Sequence, residues 1–265
     1  MGSCEKSGLI GEGSPEPRHH AGDSPAVLAL HGFGSTPREV DLIVDVAAEL
    51  GLQAHAPLLP GHGTNVQDLQ SKTFEDWYEA ARLALVALHE SHGKVIVCGM
   101  SLGALLALRL ADREQRCVKG LILLATALEL HWPYPDLVLR AHRRFRLPNI
   151  TLRKSAPDII DVEARGRQLT YGAESAKAAA QVLRAGEAVE NRLSAIAVPT
   201  LIVHGAKDNV VPPSTADRLF EGLGTLNKRV VILPKSGHIV TRDFDRDALR
   251  LNIVDHIQSL IPTSP

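Results

Sequence analysis

Between an apolar run and a helix-forming run the chain carries Gly99-Met100-Ser101-Leu102-Gly103. Lys94 to Cys98, ahead of it, reads as a buried strand, and the residues from about Leu102 to Ala111 read as a helix. A serine in so tight a strand-to-helix turn must adopt an unfavourable backbone conformation, which pushes its hydroxyl outward. Glycines two residues to either side let helix and strand approach closely. The helix N-terminus places a positive dipole end beneath the hydroxyl. No other GxSxG string occurs in the chain.

The remaining sequence supplies a sheet for that turn. Ala26 to Leu30, Leu52 to Ala56, Lys119 to Ala125, Thr200 to His204 and Arg229 to Leu233 read as further short strands, and Phe74 to His89 and Asp245 to Leu260 as amphipathic helices. Thr36-Pro37-Arg38-Glu39 predicts a helix start, with Thr36 as N-cap, Pro37 at the first helical position and Glu39 closing a capping box. Val40, Ile43, Val44 and Ala47 continue it, and Gly51 can end it. This alternation predicts an α/β fold with a mostly parallel, doubly wound sheet. At 265 residues and 45% hydrophobic content, the chain suits one such domain. Between Thr126 and Val198 there is no convincing strand. So long an interruption predicts a small inserted helical cap at the sheet end where ligands bind. The expected organisation is a disordered tail over residues 1–25, a core over 26–126 and 198–265, and a cap over 127–197.

Charge removes other classes. Lys+Arg number 29 and Asp+Glu 30, so no global field holds a nucleic acid, and none is expected as a partner. No apolar run approaches the ~18–20 residues of a bilayer span. Met1 to Ser24 lacks the apolar stretch of a signal peptide, and its His19-His20 pair reads as solvated. Cys4, Cys98 and Cys117 have no CxxC spacing, which fits reduced thiols and a cytoplasmic location. No HExxH, no paired Cys/His ligand spacing and no glycine-rich phosphate loop occurs, so neither a metal nor a cofactor is predicted. Arg140, Arg143, Arg144 and Arg146 read as a solvated helix face, with an acidic partner as the alternative.

A serine hydroxyl needs a base, and the base an orienting group. His204-Gly205-Ala206-Lys207-Asp208 follows one strand and Ser236-Gly237-His238 the next, which puts Asp208 and His238 at the same sheet edge as Ser101. The order Ser, Asp, His suits a nucleophile–acid–base set. Asp243 and Asp245 are rival acids, ranked lower because they follow the histidine. An oxyanion hole requires two backbone N–H groups. Leu102 supplies one, and Phe33 in the loop His31-Gly32-Phe33-Gly34 the other, unless that loop is an ordinary glycine turn.

Taken with Leu59-Pro60-Gly61-His62-Gly63 and Asp76-Trp77-Tyr78, these segments resemble the bacterial carboxylesterase and monoacylglycerol lipase branch of the serine α/β-hydrolase superfamily. The likeness runs from about Ala26 to Ile261 and is weakest in the inserted region. It implies cofactor-free hydrolysis of small-molecule carboxylic esters (short to medium acyl esters or monoacylglycerols) through an acyl-enzyme, beneath a small helical cap. It implies Ser101 as nucleophile, Asp208 as acid, His238 as base, and Phe33 and Leu102 as oxyanion donors. Ala104 departs from it, standing where many relatives have a second glycine. His62 reads as a structural loop residue. Trp132, Tyr134, Leu137 and Phe145 are apolar enough to line an acyl pocket, although core packing explains them equally well. The same triad also serves thioesters, lactones, C–C bonds and peptides. A non-catalytic binding module is the remaining alternative, and the presence of all three triad residues counts against it.

Overall fold

Strands of a buried parallel sheet must be apolar on both faces, and the central ones here are. The computed structural model describes residues 9–131, 151–153 and 156–261. Its strands are β1 (Leu9–Ile10), β2 (Arg18–His20), β3 (Asp23–Leu30), β4 (Leu52–Ala56), β5 (Val95–Met100), β6 (Val118–Leu124), β7 (Thr151–Arg153), β8 (Thr170–Tyr171), β9 (Ala173–Ser175), β10 (Thr200–Gly205) and β11 (Lys228–Leu233). The main sheet has the order β11-β10-β6-β5-β3-β4-β2. Six strands run parallel, and β2 is an antiparallel edge strand on β4.

Alternating side chains of the central strands feed two separate cores. Leu28, Leu30, Val95 and Val97 pack with the helices Phe74–His92 and Leu102–Arg113 on one face. Val27, Ala29, Ile96 and Cys98 pack with the helices Asp41–Glu49 and Arg246–Leu260 on the other. The α/β, doubly wound reading is therefore what the chain adopts. From β3 the chain steps to β4 on one side, then returns to β5 on the other. The strand order reverses between β3 and β5, where an open α/β sheet leaves a crevice at its C-terminal edge.

Three expectations need correction. Arg18 to His20, expected within a disordered tail, form the edge strand β2, and Leu9–Ile10 pair with Thr170–Tyr171. His19 is exposed, and its ring stacks on His55 with centroids 4.1 Å apart. Among its described residues, the interval without a convincing strand contains three short ones, β7 to β9, beside the helices Val162–Arg167 and Ala176–Glu190. Pieces of two or three residues are too short to show a period of two in sequence. The second of those helices also buries Ala178, Val182, Ala185 and Val189 in the same cluster as Leu105 and Leu110, so it packs as part of the core. Finally, Thr36 does not form the expected capping box. The segment Pro37–Val40 is a 3-10 turn that the Thr36 side chain does not cap. A capping box forms instead at the next long helix, where the Thr73 hydroxyl accepts from Asp76 N–H and the Asp76 carboxylate accepts from Thr73 N–H.

Candidate active site

Ser101 is the residue between β5 and the helix Leu102–Arg113. Its φ of 54° and ψ of −110° realise the strain that the motif requires. The flanking glycines are sterically obligatory. A Cβ on Gly99 would lie 2.1 Å from Gly103 O, and one on Gly103 would lie 2.0 Å from Leu30 O. The turn is pinned by Ser101 N–H donating to Leu124 O at 2.9 Å. Leu102, fully buried, opens the helix, so its N–H is one of those an α-helix leaves without an intrahelical acceptor.

The loop after β3 lies against this elbow. A Cβ on Gly32 would come 3.4 Å from Ser101 Cβ. His31 holds the loop: Leu59 N–H donates to its Nε2 at 3.1 Å, so the ring proton sits on Nδ1, 2.9 Å from Gly32 O. Burial drops the His31 pKa to about 4, against the opposing pull of Gly32 O, so the ring is neutral. The half-buried Phe33 meets His62 and Trp77 edge-on, at centroid distances of 6.2 and 5.9 Å. Gly34 O accepts the Thr170 hydroxyl at 2.9 Å, which ties the loop to the inserted segment. His62 packs among His31, Phe33 and Trp77.

Asp208 and His238 meet at the far side of the crevice. His238 Nδ1 donates to Asp208 Oδ2 at 2.8 Å. The loops carrying them are themselves bonded, with Lys207 N–H on Ser236 O at 3.0 Å, and a Cβ on Gly205 would lie 2.1 Å from Gly237 O. Asp208 Oδ1 accepts Val210 and Val211 N–H, both at 2.8 Å. Burial pushes the Asp208 carboxyl up, but His238, His204 and Val211 together hold it below the usual carboxylate range. Burial disfavours the charged His238 ring, but Asp208, with Glu39 and Asp158 further out, holds its pKa above the ordinary value. The rival acids are engaged elsewhere. Asp243 accepts N–H groups of Ile160, Asp161, Gly237 and Phe244, and Asp245 accepts Lys235 N–H and the Ser236 hydroxyl.

Three further residues touch this machinery in roles that their local sequence does not show. His204 Nε2 lies 2.9 Å from Asp208 Oδ2 and 3.2 Å from Val211 O. Asp158 accepts His238 N–H at 2.9 Å and Asn209 N–H at 2.8 Å, so one inserted carboxylate ties the loops of both Asp208 and His238. Glu39 is buried beside Gly32. Trp132, Tyr134, Leu137 and Phe145, with the arginines from 140 to 146, lie outside the described residues.

A serine strained at the elbow after β5, an Asp–His pair after β10 and β11, and a mainly parallel sheet define a serine hydrolase of the α/β-hydrolase fold. The chain belongs to the serine aminopeptidase S33 family, whose model its residues 23–245 match. It is 27% identical over 231 residues to a thermostable monoacylglycerol lipase of Bacillus sp. (strain H-257), covering 87% of this chain and 89% of that one. It is 25% identical over 248 residues to a carboxylesterase of Bacillus subtilis (strain 168), covering 93% and 98%. Among solved structures, one from a study of the metagenome-derived lipolytic enzymes LipS and LipT superposes with a TM-score of 0.85 at 25% identity, covering 93% of this chain and 98% of that one.

Proposed function

We propose that this protein hydrolyses carboxylic esters through an acyl-enzyme, with Ser101 as nucleophile, His238 as general base and Asp208 as its orienting acid. The observation that carries the reading is the 2.8 Å bond between His238 Nδ1 and Asp208 Oδ2 at the edge where Ser101 is held at φ 54°. With Nδ1–H committed to Asp208, Nε2 of His238 is the nitrogen left to take the Ser101 proton. Ser101 Oγ attacks the ester carbonyl, and the oxyanion is received by the Phe33 and Leu102 N–H groups. His238 then protonates the departing alcohol. Water, deprotonated by the same ring, hydrolyses the acyl-enzyme and regenerates Ser101.

Two named relatives, a monoacylglycerol lipase and a carboxylesterase, support esters as the substrate class. We take the substrate to be a small-molecule ester with a short to medium acyl chain or a monoacylglycerol, bound beneath the inserted segment. Cys98 and Cys117 are free thiols, which supports a reducing, cytoplasmic setting. Among the described residues, no helix is long and apolar enough to cross a membrane. A chain-length series of p-nitrophenyl esters tests the substrate class. Turnover with an optimum at short to medium acyl length is expected; no turnover at any length, with turnover of acyl thioesters instead, overturns it.

A further inference from the structure

We propose that Glu39 is a positioning residue of this site, whose carboxylate holds the loop after β3 through Gly32 N–H and whose backbone carbonyl holds the loop that follows His238 through the Thr241 hydroxyl. The proposal rests on the triad reading above. Glu39 stands third after Thr36, where a capping-box carboxylate would turn back to the N-cap N–H. Its Oε2 accepts Gly32 N–H at 2.5 Å. Its side chain thus reaches the residue before Phe33. The residue is 4% exposed, and burial of a carboxylate is tolerated only where it is hydrogen-bonded or paired.

Its surroundings are those of the reacting atoms. A Cβ on Gly32 would lie 2.8 Å from Glu39 Oε2 and 3.4 Å from Ser101 Cβ, so Gly32 has the carboxylate and the serine as immediate neighbours. The backbone reaches the other loop: Glu39 O accepts the Thr241 hydroxyl at 2.6 Å, three residues beyond His238. One residue therefore joins the candidate oxyanion loop to the loop of the base. Three carboxylates favour the charged His238 ring: Asp208 from the loop after β10, Glu39 from the turn Pro37–Val40, and Asp158 from the inserted segment. Arg242, on the turn Val240–Arg242, is within electrostatic reach of Arg38, Asp41, Glu39 and Arg246.

The test compares Glu39→Ala and Glu39→Gln in the full chain, with p-nitrophenyl butyrate across pH 5.5 to 9. Glu39→Ala frees the loop, so kcat falls about 10- to 100-fold with KM within about twofold, somewhat less than direct removal of an oxyanion donor. Glu39→Gln keeps an acceptor but no charge, so kcat stays within about fivefold of the parent. The acid limb of its kcat/KM moves to lower pH by roughly half a unit, because the imidazolium loses one favourable charge. Wild-type kcat in Glu39→Ala, a loss carried by KM, or an unmoved acid limb in Glu39→Gln overturns the proposal. Should Glu39→Ala not fold, the Gly32 amide proton resonance decides the loop contact: it lies far downfield in the parent and moves upfield in Glu39→Gln, and an unmoved resonance overturns it. Ser101→Ala runs alongside. Its retained turnover would defeat the triad reading itself, whereas a dead Ser101→Ala beside parent-like Glu39 variants defeats this proposal alone.

Discussion

His204 Nε2 stands 2.9 Å from Asp208 Oδ2, the same oxygen that accepts the His238 Nδ1–H. With Val210 and Val211 N–H on the other oxygen, both oxygens of the carboxylate accept from donors. Asp208→Asn replaces one oxygen by an NH2 that must face donors whichever way the amide turns. We expect kcat to fall by about 10³–10⁴, as when an orienting Asp is made Asn in such a triad. Stability should fall by about 1–3 kcal/mol for the buried donors left unpaired. Steady-state kinetics and calorimetry of the variant check both.

The strained elbow predicts a trade of stability for activity. Non-glycine residues held in such conformations cost about 1–3 kcal/mol, and Ser101 sits at φ 54°. Ser101→Gly should abolish turnover yet raise Tm by a few degrees, since about 1 kcal/mol corresponds to ~2–4 °C in a chain of this size. An unchanged or lower Tm would remove strain from the account of the elbow.

Two glycines should respond in opposite directions to alanine. A Cβ on Gly103 would meet Leu30 O at 2.0 Å, so backbone must move, and Gly103→Ala should cost 3 kcal/mol or more, by the rough scale of severe packing faults. Gly166, within the helix Val162–Arg167, faces open space, with nothing within 4 Å of the place an added methyl group would take. Gly166→Ala should stabilise by up to about 1 kcal/mol through helix propensity. Urea unfolding midpoints of the two variants decide.

His238 must be neutral to accept the Ser101 proton, and its pKa lies above the ordinary 6.5. The acid limb of kcat/KM should therefore fall above pH 6.5. The same shift contributes stability that is complete below pH 6.5 and is lost as pH rises through the folded-state value. His31 and His256 behave oppositely. Burial lowers both to about 4. Below pH 6.5 the unfolded chain takes up protons that the folded chain refuses, so their effect is a stability that declines from pH 6.5 toward 4. A pH–rate profile and melting curves from pH 4 to 8 measure the two effects separately.

The elbow was legible because its strain is written into residue types: only glycine fits at 99 and 103, and apolar runs flank them on both sides. The two cores were legible for the same reason, since the central strands are apolar throughout. The edge strand Arg18–His20 was not, because its polar residues gain strand structure only by pairing with β4, a partner distant in sequence. Glu39 matched a local capping pattern, and its contact with Gly32 in the preceding loop is made only by the fold. Asp158 belongs to no motif; only the folded chain brings it to His238 N–H. Local conflicts of this kind gather where a fold carries function.

The most direct test of the central claim is covalent. A fluorophosphonate probe, followed by peptide mass spectrometry, should place a single adduct on Ser101, and Ser101→Ala should take up none. Labelling that persists in Ser101→Ala, or an unlabelled Ser101 in folded parent protein, would contradict the assignment of Ser101 as nucleophile.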